Sequence, residues 1–273
     1  MKKQHIIFTD LDGTLLDHHS YSFAPVVSIL DKLQQEGIPV IPNTSKTFAE
    51  LVEIRGALKL TTPFIVENGA AIYIPTHFFP QQPIGTIEKS GYWLKEFSPR
   101  VEHWVGVLDT LQAAFSEEFE HFSRMSVKRI SEVTGLSEHD AELAATREYG
   151  EPVNWLGDQA SKTLFIHALE EAGATPLQGG RFLHVSGYSD KGQALTWLLN
   201  EYQKQHPDKQ CDSIALGDGQ NDVAMLEVAS LAIRILSPTT PPPELKRTNK
   251  VITSHNFGPT GWAECIEAIL FKQ

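Results

Sequence analysis

Two aspartates follow a short apolar run near the start of the chain. In the stretch HIIFTDLDGTLLD, Asp10 and Asp12 come directly after residues 6–9, which are predicted to form a buried strand, and Gly13 and Thr14 follow. Two like charges at the end of a buried strand repel each other. A bound cation would neutralise this repulsion, so the arrangement indicates a metal site.

Further polar residues follow other predicted strands. Thr44 and Ser45 come after IPVI, Asp218 and Asp222 lie in GDGQND after SIAL, and Lys191 begins a predicted helix. In an open parallel sheet, ligands bind beyond the carboxyl ends of the strands. The motifs therefore predict one site at one edge of a sheet.

The residue types of this site suit phosphoryl transfer. An oxygen-rich cluster of Asp10, Asp12, Asp218 and Asp222, without His or Cys, suits Mg²⁺. A carboxylate can act as a covalent nucleophile, so Asp10 would attack phosphorus while Asp12 serves as acid and then base. The Thr44 hydroxyl would hold a phosphoryl oxygen, and Lys191 would offset negative charge.

A calcium loop is the main alternative interpretation of the first motif. Such a loop starting at Asp10 requires Gly at its sixth place and Glu at its twelfth. Leu15 and Tyr21 occupy these places, so we discard this interpretation. Asp218 and Asn221 of GDGQND, taken alone, are also typical of a turn that caps a helix.

The order of predicted elements indicates an α/β protein with an insertion. Strands alternate with helices over residues 1–83 and again over 188–273, which predicts a Rossmann-like parallel core. Residues 84–187 are predicted to form an α+β module, with helices on an antiparallel sheet. Its predicted elements are the helices VGVLDTLQAAFSEEF, one after Ser137, and SKTLFIHALEEAG, and the strands EPVNWL and RFLHV.

Composition narrows the function classes. The 273 residues are 41% apolar and 21% charged, which predicts a folded core, and no apolar run is long enough to span a membrane. The net charge of −11 argues against nonspecific nucleic-acid binding, which needs a basic surface. Two cysteines and no secretory signal predict a cytoplasmic protein. The sequence leaves the oligomeric state open.

The pair of motifs DLDGT and GDGQND resembles the haloacid dehalogenase (HAD) superfamily of phosphohydrolases. The insertion between the Thr44 and Lys191 motifs looks like the large cap of its sugar-phosphatase branch. Within that branch the chain is similar to the mannosyl-3-phosphoglycerate phosphatases. This similarity is carried by NTSKT, ENGA, REYGEPVNW and GGRFLHVSGYSDKG, which are spread over most of the chain.

The resemblance implies a HAD core with a cap and a specific set of site residues. It implies that Asp10 is the nucleophile, that Asp12 is the acid/base, and that Mg²⁺ is held by Asp10, the Asp12 carbonyl and Asp218 with support from Asp222. The expected substrate is a small phosphorylated sugar derivative, mannosyl-3-phosphoglycerate or its glucosyl analogue. The candidate substrate-binding residues are Ser45, Lys46, Asn68, Arg147, Arg181 and Asn221.

The second motif departs from the pattern of this branch. Many relatives carry Thr-Gly-Arg there, whereas this chain has Thr44, Ser45 and Lys46. Either hydroxyl is therefore a candidate for the phosphoryl contact. Arg147 and Arg181 suit two-point binding of a phosphate or carboxylate.

The sequence alone does not separate a role in the site from an ordinary structural role for several charged residues. Lys191 and Lys46 could be solvated, Arg147 and Arg181 could form surface ion pairs, and the pair His18 and His19 is more typical of a solvated loop than of a metal site. Two alternative functions also remain. One is hydrolysis or transfer on another sugar phosphate, and the other is a non-catalytic sugar-phosphate sensor.

Overall fold

The computed structural model describes residues 2–179 and 181–272. Its strands are β1 Lys2–Thr9, β2 Val40–Pro42, β3 Phe64–Val66, β4 Ala71–Pro75, β5 Ile87–Lys89, β6 Tyr92–Glu96, β7 Phe119–His121, β8 Glu151–Trp155, β9 Leu177–Gln178, β10 Leu183–Val185, β11 Lys209–Gly217, β12 Leu231–Leu236 and β13 Val251–Phe257. Its helices are α1 Val27–Gln35, α2 Phe48–Ala57, α3 Val101–Leu111, α4 Val127–Thr134, α5 Glu138–Ala145, α6 Gln159–Glu171, α7 Lys191–Gln205, α8 Val223–Val228 and α9 Gly258–Leu270.

A parallel sheet forms the centre of the first unit. Its strand order is β13-β12-β11-β1-β2, and every neighbouring pair runs parallel. Ile6, Ile7 and Phe8 of β1 are all fully buried, as expected for a strand covered on both faces. The predicted α/β class, with a parallel core sheet and antiparallel strands elsewhere, is confirmed.

A second, antiparallel sheet continues from β2 in the same unit. A parallel bridge joins Asn43 to Ile65 of β3, and the sheet then has the order β3-β4-β6-β5. Strands β5 and β6 were not predicted from the sequence. Their turn contains Ser90 and Gly91, both with positive φ (51° and 83°), which is the backbone that a two-residue hairpin turn requires.

The second unit contains an antiparallel sheet of order β7-β8-β10-β9. Apolar side chains of α3 and α6, among them Trp104 and Phe165, pack with Phe119, Val153 and Leu183 of the strands. Helices α4 and α5 contribute to another apolar cluster around Phe122. The sequence predicted this arrangement of helices on an antiparallel sheet.

One helix prediction in this unit was wrong in its extent. The sequence predicted a helix over residues 105–119, whereas α3 runs from Val101 to Leu111 and Phe119 begins β7. Phe119 and His121 are buried while Glu120 between them is only half-buried. This alternation has the period of a strand, so tertiary packing decided the structure of the last residues.

The two compact units differ in their bounds from the predicted division at residues 83 and 187. The first unit contains Met1–Ser45, Ala57–Lys95 and Asp190–Gln273, and the second contains Lys46–Gly56 and Glu96–Ser189. Most of α2 was expected in the core but lies in the second unit. There the Thr47 hydroxyl donates a hydrogen bond to the Leu143 carbonyl (3.0 Å).

None of the helices in the described part of the chain combines the length and the apolarity that crossing a bilayer requires.

Candidate active site

Three neighbouring strands end at the predicted site. The strands β11, β1 and β2 are adjacent in the sheet, and they are followed by Asp218, Asp10 and Thr44. The Asp10 amide donates to the Leu216 carbonyl (2.9 Å), which ties the end of β1 to β11. The strand order thus places residues from distant parts of the sequence at one edge of the sheet, as the motifs predicted.

Lys191 lies among the carboxylates and is fully buried at the first position of α7. Its Nζ donates to Oδ1 of Asp10 and to Oδ1 of Asp222, each at 2.6 Å. Burial by itself lowers the pKa of Lys191, but the charges of Asp10 and Asp222 outweigh burial and raise it. The interpretation of Lys191 as a solvated residue is therefore wrong.

Asp10, Asp218 and Asp222 form an acidic cluster. Each offers a carboxylate oxygen, and these oxygens lie within 4.8 Å of one another. Burial, together with the charges of Asp10 and Asp222, raises the pKa of Asp218 to about 7. Burial and the charge of Asp10 also raise the pKa of Asp222 to about 6, against the opposing effect of Lys191. A cation bound here would relieve this repulsion, so the cluster fits a metal ion.

Hydrogen bonds divide the cluster into two kinds of carboxylate. Asp222 uses Oδ1 for Lys191 and uses Oδ2 to accept from the amides of Asp218 (3.0 Å) and Gly219 (2.9 Å). Asp218 accepts from the Thr14 hydroxyl through Oδ1 (2.9 Å). Both oxygens of Asp222 already accept hydrogen bonds from the protein, so this residue is suited to holding the neighbouring groups in place. Asp10 and Asp218 are better placed as direct ligands of a metal ion.

A tight turn carries Asp12 past the end of β1. The Leu16 amide donates to the Leu11 carbonyl (2.8 Å), and the Gly13 amide donates to the Leu16 carbonyl (2.9 Å). Gly13 has φ of +79°, and a Cβ atom there would lie 2.6 Å from Oδ2 of Asp218. The turn therefore requires glycine both for its backbone and for the space that Asp218 occupies.

Two predicted substrate-binding residues contact each other in the first unit. Nδ2 of Asn221 donates to Oδ1 of Asn68 (3.1 Å), which joins the GDGQND and ENGA loops. Asn68 has φ of +58°, and the next residue, Gly69, packs so closely that a Cβ atom would lie 2.2 Å from the Asp190 carbonyl oxygen. This close approach holds the ENGA loop against the start of α7, where Lys191 lies.

The hydroxyl candidates Thr44 and Ser45 follow β2. Thr44 is 1% exposed, its amide donates to the Ile65 carbonyl (3.1 Å), and its carbonyl accepts from the Asn68 amide (2.8 Å). Ser45 is half-buried. The backbone of Thr44 is therefore held by two neighbouring segments.

The remaining cationic candidates lie in the second unit. Nζ of Lys46 is 3.3 Å from Oε1 of Glu50, and Nε of Arg147 donates to the Gly150 carbonyl (2.9 Å). Arg181 is exposed and donates to the Thr134 carbonyl (2.5 Å) at the end of α4. In the first unit, His18 and His19 are exposed, and their rings contact each other edge to face.

Several residues that support the site were not predicted. Thr14 binds Asp218, and Asn43 donates through Nδ2 to the Lys191 carbonyl (2.9 Å). The indole of Trp262 donates to the Thr9 hydroxyl (3.0 Å), which donates to the Asp10 carbonyl (2.7 Å). Thr14 and Asn43 lie inside motifs that the sequence singled out. Nothing local marks Trp262, which is 253 residues from Thr9.

Comparison with known proteins identifies the family. The profile of the haloacid dehalogenase-like hydrolases matches residues 7–85 and 171–261. A glucosyl-3-phosphoglycerate/mannosyl-3-phosphoglycerate phosphatase of Methanococcoides burtonii is 34% identical over 269 residues, which cover 98% of each chain. A mannosyl-3-phosphoglycerate phosphatase of Pyrococcus furiosus is 35% identical over 231 residues, which cover 84% of this chain and 90% of the relative.

Solved structures share the fold at lower identity. A haloacid dehalogenase-like hydrolase from Bacteroides thetaiotaomicron has a TM-score of 0.67 at 18% identity and covers 98% of this chain and 100% of its own. A haloacid dehalogenase-like hydrolase from Bacillus subtilis has a TM-score of 0.65 at 17% identity, and the match covers 97% of this chain and 99% of the other. With the sequence matches and the acidic site, these findings show that the chain belongs to the haloacid dehalogenase-like hydrolase family and is a phosphatase acting on phosphate monoesters.

Proposed function

We propose that the protein is a Mg²⁺-dependent phosphatase that hydrolyses mannosyl-3-phosphoglycerate, or its glucosyl analogue, to the glycosylglycerate and phosphate. The observation that carries the substrate assignment is the 34% identity to a phosphatase named for both compounds, over 98% of both chains. The match extends through the insertion, whose REYGEPVNW and GGRFLHVSGYSDKG motifs contain Arg147 and Arg181. These arginines, with Lys46, are our candidates for binding the carboxylate or the phosphate of the substrate.

The donor set supports Mg²⁺ as the metal. Carboxylate oxygens are the ligands that this hard cation prefers, and the cluster of Asp10, Asp218 and Asp222 contains neither His nor Cys. Asp10, Asp218 and the Asp12 carbonyl would hold the ion, with Asp222 in support. When bound, Mg²⁺ supplies positive charge that offsets the negative charge of the phosphoryl group.

In the first chemical step, an oxygen of Asp10 attacks phosphorus and forms an aspartyl-phosphate. The bond from phosphorus to the glycerate oxygen breaks, and Asp12 donates its proton to that leaving oxygen. Lys191 holds Asp10 through a 2.6 Å hydrogen bond and so restricts the orientation of the nucleophile. The hydroxyl of Thr44 or Ser45 would donate to a phosphoryl oxygen.

In the second step, Asp12 acts as a base. Its carboxylate takes a proton from water, the water oxygen attacks phosphorus, and the bond between phosphorus and Asp10 breaks to release inorganic phosphate. Asp12 is then protonated again and Asp10 is free.

A phosphate-release assay tests the proposed substrate. We expect turnover of mannosyl-3-phosphoglycerate and of the glucosyl analogue, with kcat/KM at least about a hundredfold above that of 3-phosphoglycerate or mannose 6-phosphate, because only the proposed substrates present both a sugar and a carboxylate. Free phosphate as product indicates hydrolysis, whereas a phosphorylated acceptor would indicate transfer. Binding without turnover, with Mg²⁺ present, would support a sensor and contradict the proposal.

Gly13→Ala is expected to impair metal use. The new methyl group would meet Oδ2 of Asp218, so we expect the Mg²⁺ concentration needed for half-maximal activity to rise by roughly tenfold or more. Gly91→Ala is the matched control, because Gly91 also has a positive φ (+83°) but has no atom within 4 Å of the added Cβ. If both substitutions raised the required Mg²⁺ concentration equally, backbone strain alone would explain the effect, and the predicted contact with Asp218 would be contradicted.

Mg²⁺ affinity is expected to fall as the pH is lowered. The pKa of Asp218 is raised to about 7 in the metal-free protein, so below this pH the metal must displace a proton. We expect affinity to be nearly constant above pH 8 and roughly tenfold weaker at pH 6, with proton release on binding. Calorimetric titration in buffers of different ionisation enthalpy measures both quantities. An affinity that does not change with pH would contradict this expectation.

A further inference from the structure

A chain of two hydrogen bonds runs from the last helix to the backbone of Asp10. Nε1 of Trp262 donates to the Thr9 hydroxyl (3.0 Å), and this hydroxyl donates to the Asp10 carbonyl (2.7 Å). The side chains of Trp262 and Thr9 are both fully buried. Bulk water therefore does not compete for either hydrogen bond. The direction of the chain is also fixed, because an indole N–H donates and does not accept.

The second of these hydrogen bonds holds the first peptide group beyond the parallel sheet. The peptide from Thr9 to Asp10 still belongs to the sheet. Its carbonyl accepts from the Asn43 amide (2.8 Å), and its N–H donates to the Leu216 carbonyl (2.9 Å). The next carbonyl, that of Asp10, accepts from the Thr9 side chain. Because a peptide group is planar, holding this carbonyl fixes the orientation of the whole peptide that leads from Asp10 to Leu11.

Asp10 is thereby held at two points. Nζ of Lys191 binds Oδ1 of its side chain (2.6 Å), and the Thr9 hydroxyl binds its main chain (2.7 Å). The contact with Lys191 sets the position of one carboxylate oxygen, but the carboxylate can tilt about this contact if the backbone of Asp10 rotates. The hydrogen bond to the carbonyl restricts that rotation. The two contacts together define the direction from which an oxygen of Asp10 approaches phosphorus.

Trp262 determines which way the Thr9 hydroxyl points. A threonine hydroxyl both accepts and donates, and its hydrogen rotates towards an acceptor. Because the indole N–H occupies a lone pair of the hydroxyl oxygen, the hydroxyl hydrogen is directed to the Asp10 carbonyl. Successive hydrogen bonds of this kind also strengthen each other. Trp262 therefore acts on Asp10 through Thr9.

Helix α9, which contains Trp262, lies against the first motif at a second place. A Cβ atom on Gly258, the first residue of α9, would lie 3.7 Å from the Gly13 carbonyl oxygen. The start of the helix is therefore next to the turn that carries Asp12. The family profile ends its match at residue 261, one residue before Trp262. The hydrogen bond from Trp262 thus lies outside the part of the chain that the family match describes.

We propose that Thr9 and Trp262 are positioning residues for phosphoryl transfer, which act through the main chain of Asp10. This role rests on the proposed function, in which Asp10 is the nucleophile. Trp262 orients the Thr9 hydroxyl, the hydroxyl holds the Asp10 carbonyl, and the held peptide keeps the carboxylate aligned for attack on phosphorus. Both side chains are fully buried, so the substrate does not contact them. Their loss is therefore expected to lower kcat and to leave KM unchanged.

Steady-state kinetics of two Thr9 variants of the full chain test the role of the hydroxyl. Phosphate release is measured at saturating Mg²⁺ with mannosyl-3-phosphoglycerate, and with p-nitrophenyl phosphate as a second phosphate monoester. Thr9→Val keeps the shape of the side chain and removes the hydroxyl, so we expect kcat to fall about tenfold while KM stays within about twofold of the wild-type value. Thr9→Ser keeps the hydroxyl, so its kcat is expected to stay within about threefold of the wild-type value.

A matched pair of tryptophan variants tests the indole hydrogen bond. Trp262→Phe removes the N–H and keeps an aromatic ring, so we expect kcat to fall about fivefold. Trp104→Phe is the control, because Trp104 is also buried near the start of a helix, but its Nε1 has no hydrogen-bond partner among residues 2–179 and 181–272. Its kcat is expected to change less than about twofold. Circular dichroism checks that each variant folds.

The double variant Thr9→Val/Trp262→Phe distinguishes positioning from packing. If Trp262 acts through the Thr9 hydroxyl, its substitution adds nothing once that hydroxyl is gone. We therefore expect the kcat of the double variant to equal that of Thr9→Val within about twofold. Independent packing effects would instead multiply, to a loss of about fiftyfold.

Three results would overturn the proposal. The first is a kcat of Thr9→Ser as low as that of Thr9→Val, which would exclude a role of the hydroxyl. The second is an equal kcat in Trp262→Phe and Trp104→Phe, and the third is multiplied losses in the double variant. Trp262→Phe leaves the hydroxyl of Thr9 in place, so it remains informative even if Thr9→Val does not fold.

Asp10→Asn separates this proposal from the assignment of the nucleophile. Turnover retained in Asp10→Asn would contradict both. Turnover lost in Asp10→Asn, together with a wild-type kcat in Thr9→Val and Trp262→Phe, would overturn the positioning role alone.

Discussion

Asp10→Asn is expected to lower the turnover number for phosphate release by at least about a thousandfold, because an amide does not replace a carboxylate as nucleophile. The substitution preserves the shape of a side chain that is 6% exposed, and Lys191 keeps its ion pair with Asp222. The variant should therefore fold. Activity is measured by phosphate release at saturating Mg²⁺, and folding by circular dichroism.

The covalent intermediate gives this prediction a second measurement. Acid quenching followed by intact-mass spectrometry is expected to detect one added phosphoryl group in the wild type or in Asp12→Asn, and none in Asp10→Asn. Asp208→Asn serves as the control, because Asp208 is an exposed aspartate in the same unit. Turnover by Asp10→Asn within tenfold of the wild-type value would rule out the proposed nucleophile.

Lys191→Met is expected to remove activity and to destabilise the protein by roughly 3–5 kcal/mol near pH 7.5 without metal. Lys191 is fully buried between Asp10 and Asp222, so its removal leaves carboxylates that repel one another without a compensating charge. Chemical denaturation measures the free energy of unfolding. Phosphate release measures activity, which should fall at least about a hundredfold.

The destabilisation by Lys191→Met should depend on pH. In the folded wild type, the pKa values of Asp218 and Asp222 already lie above their ordinary values, and removing Lys191 raises them further. A carboxyl whose folded pKa is raised costs stability as the pH rises above its unfolded pKa. The loss should therefore be smaller at pH 5 than at pH 7.5, because the folded protein can bind protons in place of Lys191.

Lys204→Met provides the matched control on the same helix. Its side chain is 70% exposed and pairs with Glu201, so we expect a change in unfolding free energy below about 1 kcal/mol and no loss of activity. Equal destabilisation by the two substitutions would show that helix propensity dominates. That result would contradict the electrostatic role given to Lys191.

Much of the candidate site could be predicted because its signals are local. Each motif pairs an apolar run with polar residues directly after it, and such a run predicts a strand whose end carries the polar residues. The predictions for β1 and β11 are confirmed, and α7 begins at Lys191 as expected. The helix cap predicted at Ser137 is confirmed, because the Ser137 hydroxyl accepts a hydrogen bond from the Asp140 amide (3.1 Å).

Long-range packing limited the remaining predictions. The last residues of the expected helix over 105–119 carry both helical and strand patterns, and the neighbouring strand β8 decided between them. Helix α2 was assigned to the core by its position in the sequence, but its contacts, including the one from Thr47 to Leu143, lie in the second unit. Sequence adjacency carries no information about which side a helix will pack against.

The sequence by itself determined which residues are candidates for the site, because residue types and their spacing after apolar runs specify which side chains follow each strand. Only the tertiary structure decided which of these side chains contact one another. It engages both oxygens of Asp222, joins Asn68 to Asn221, and brings Thr14 to Asp218 across 204 residues. Such contacts depend on strand order and on the packing of the whole unit, which no local pattern encodes.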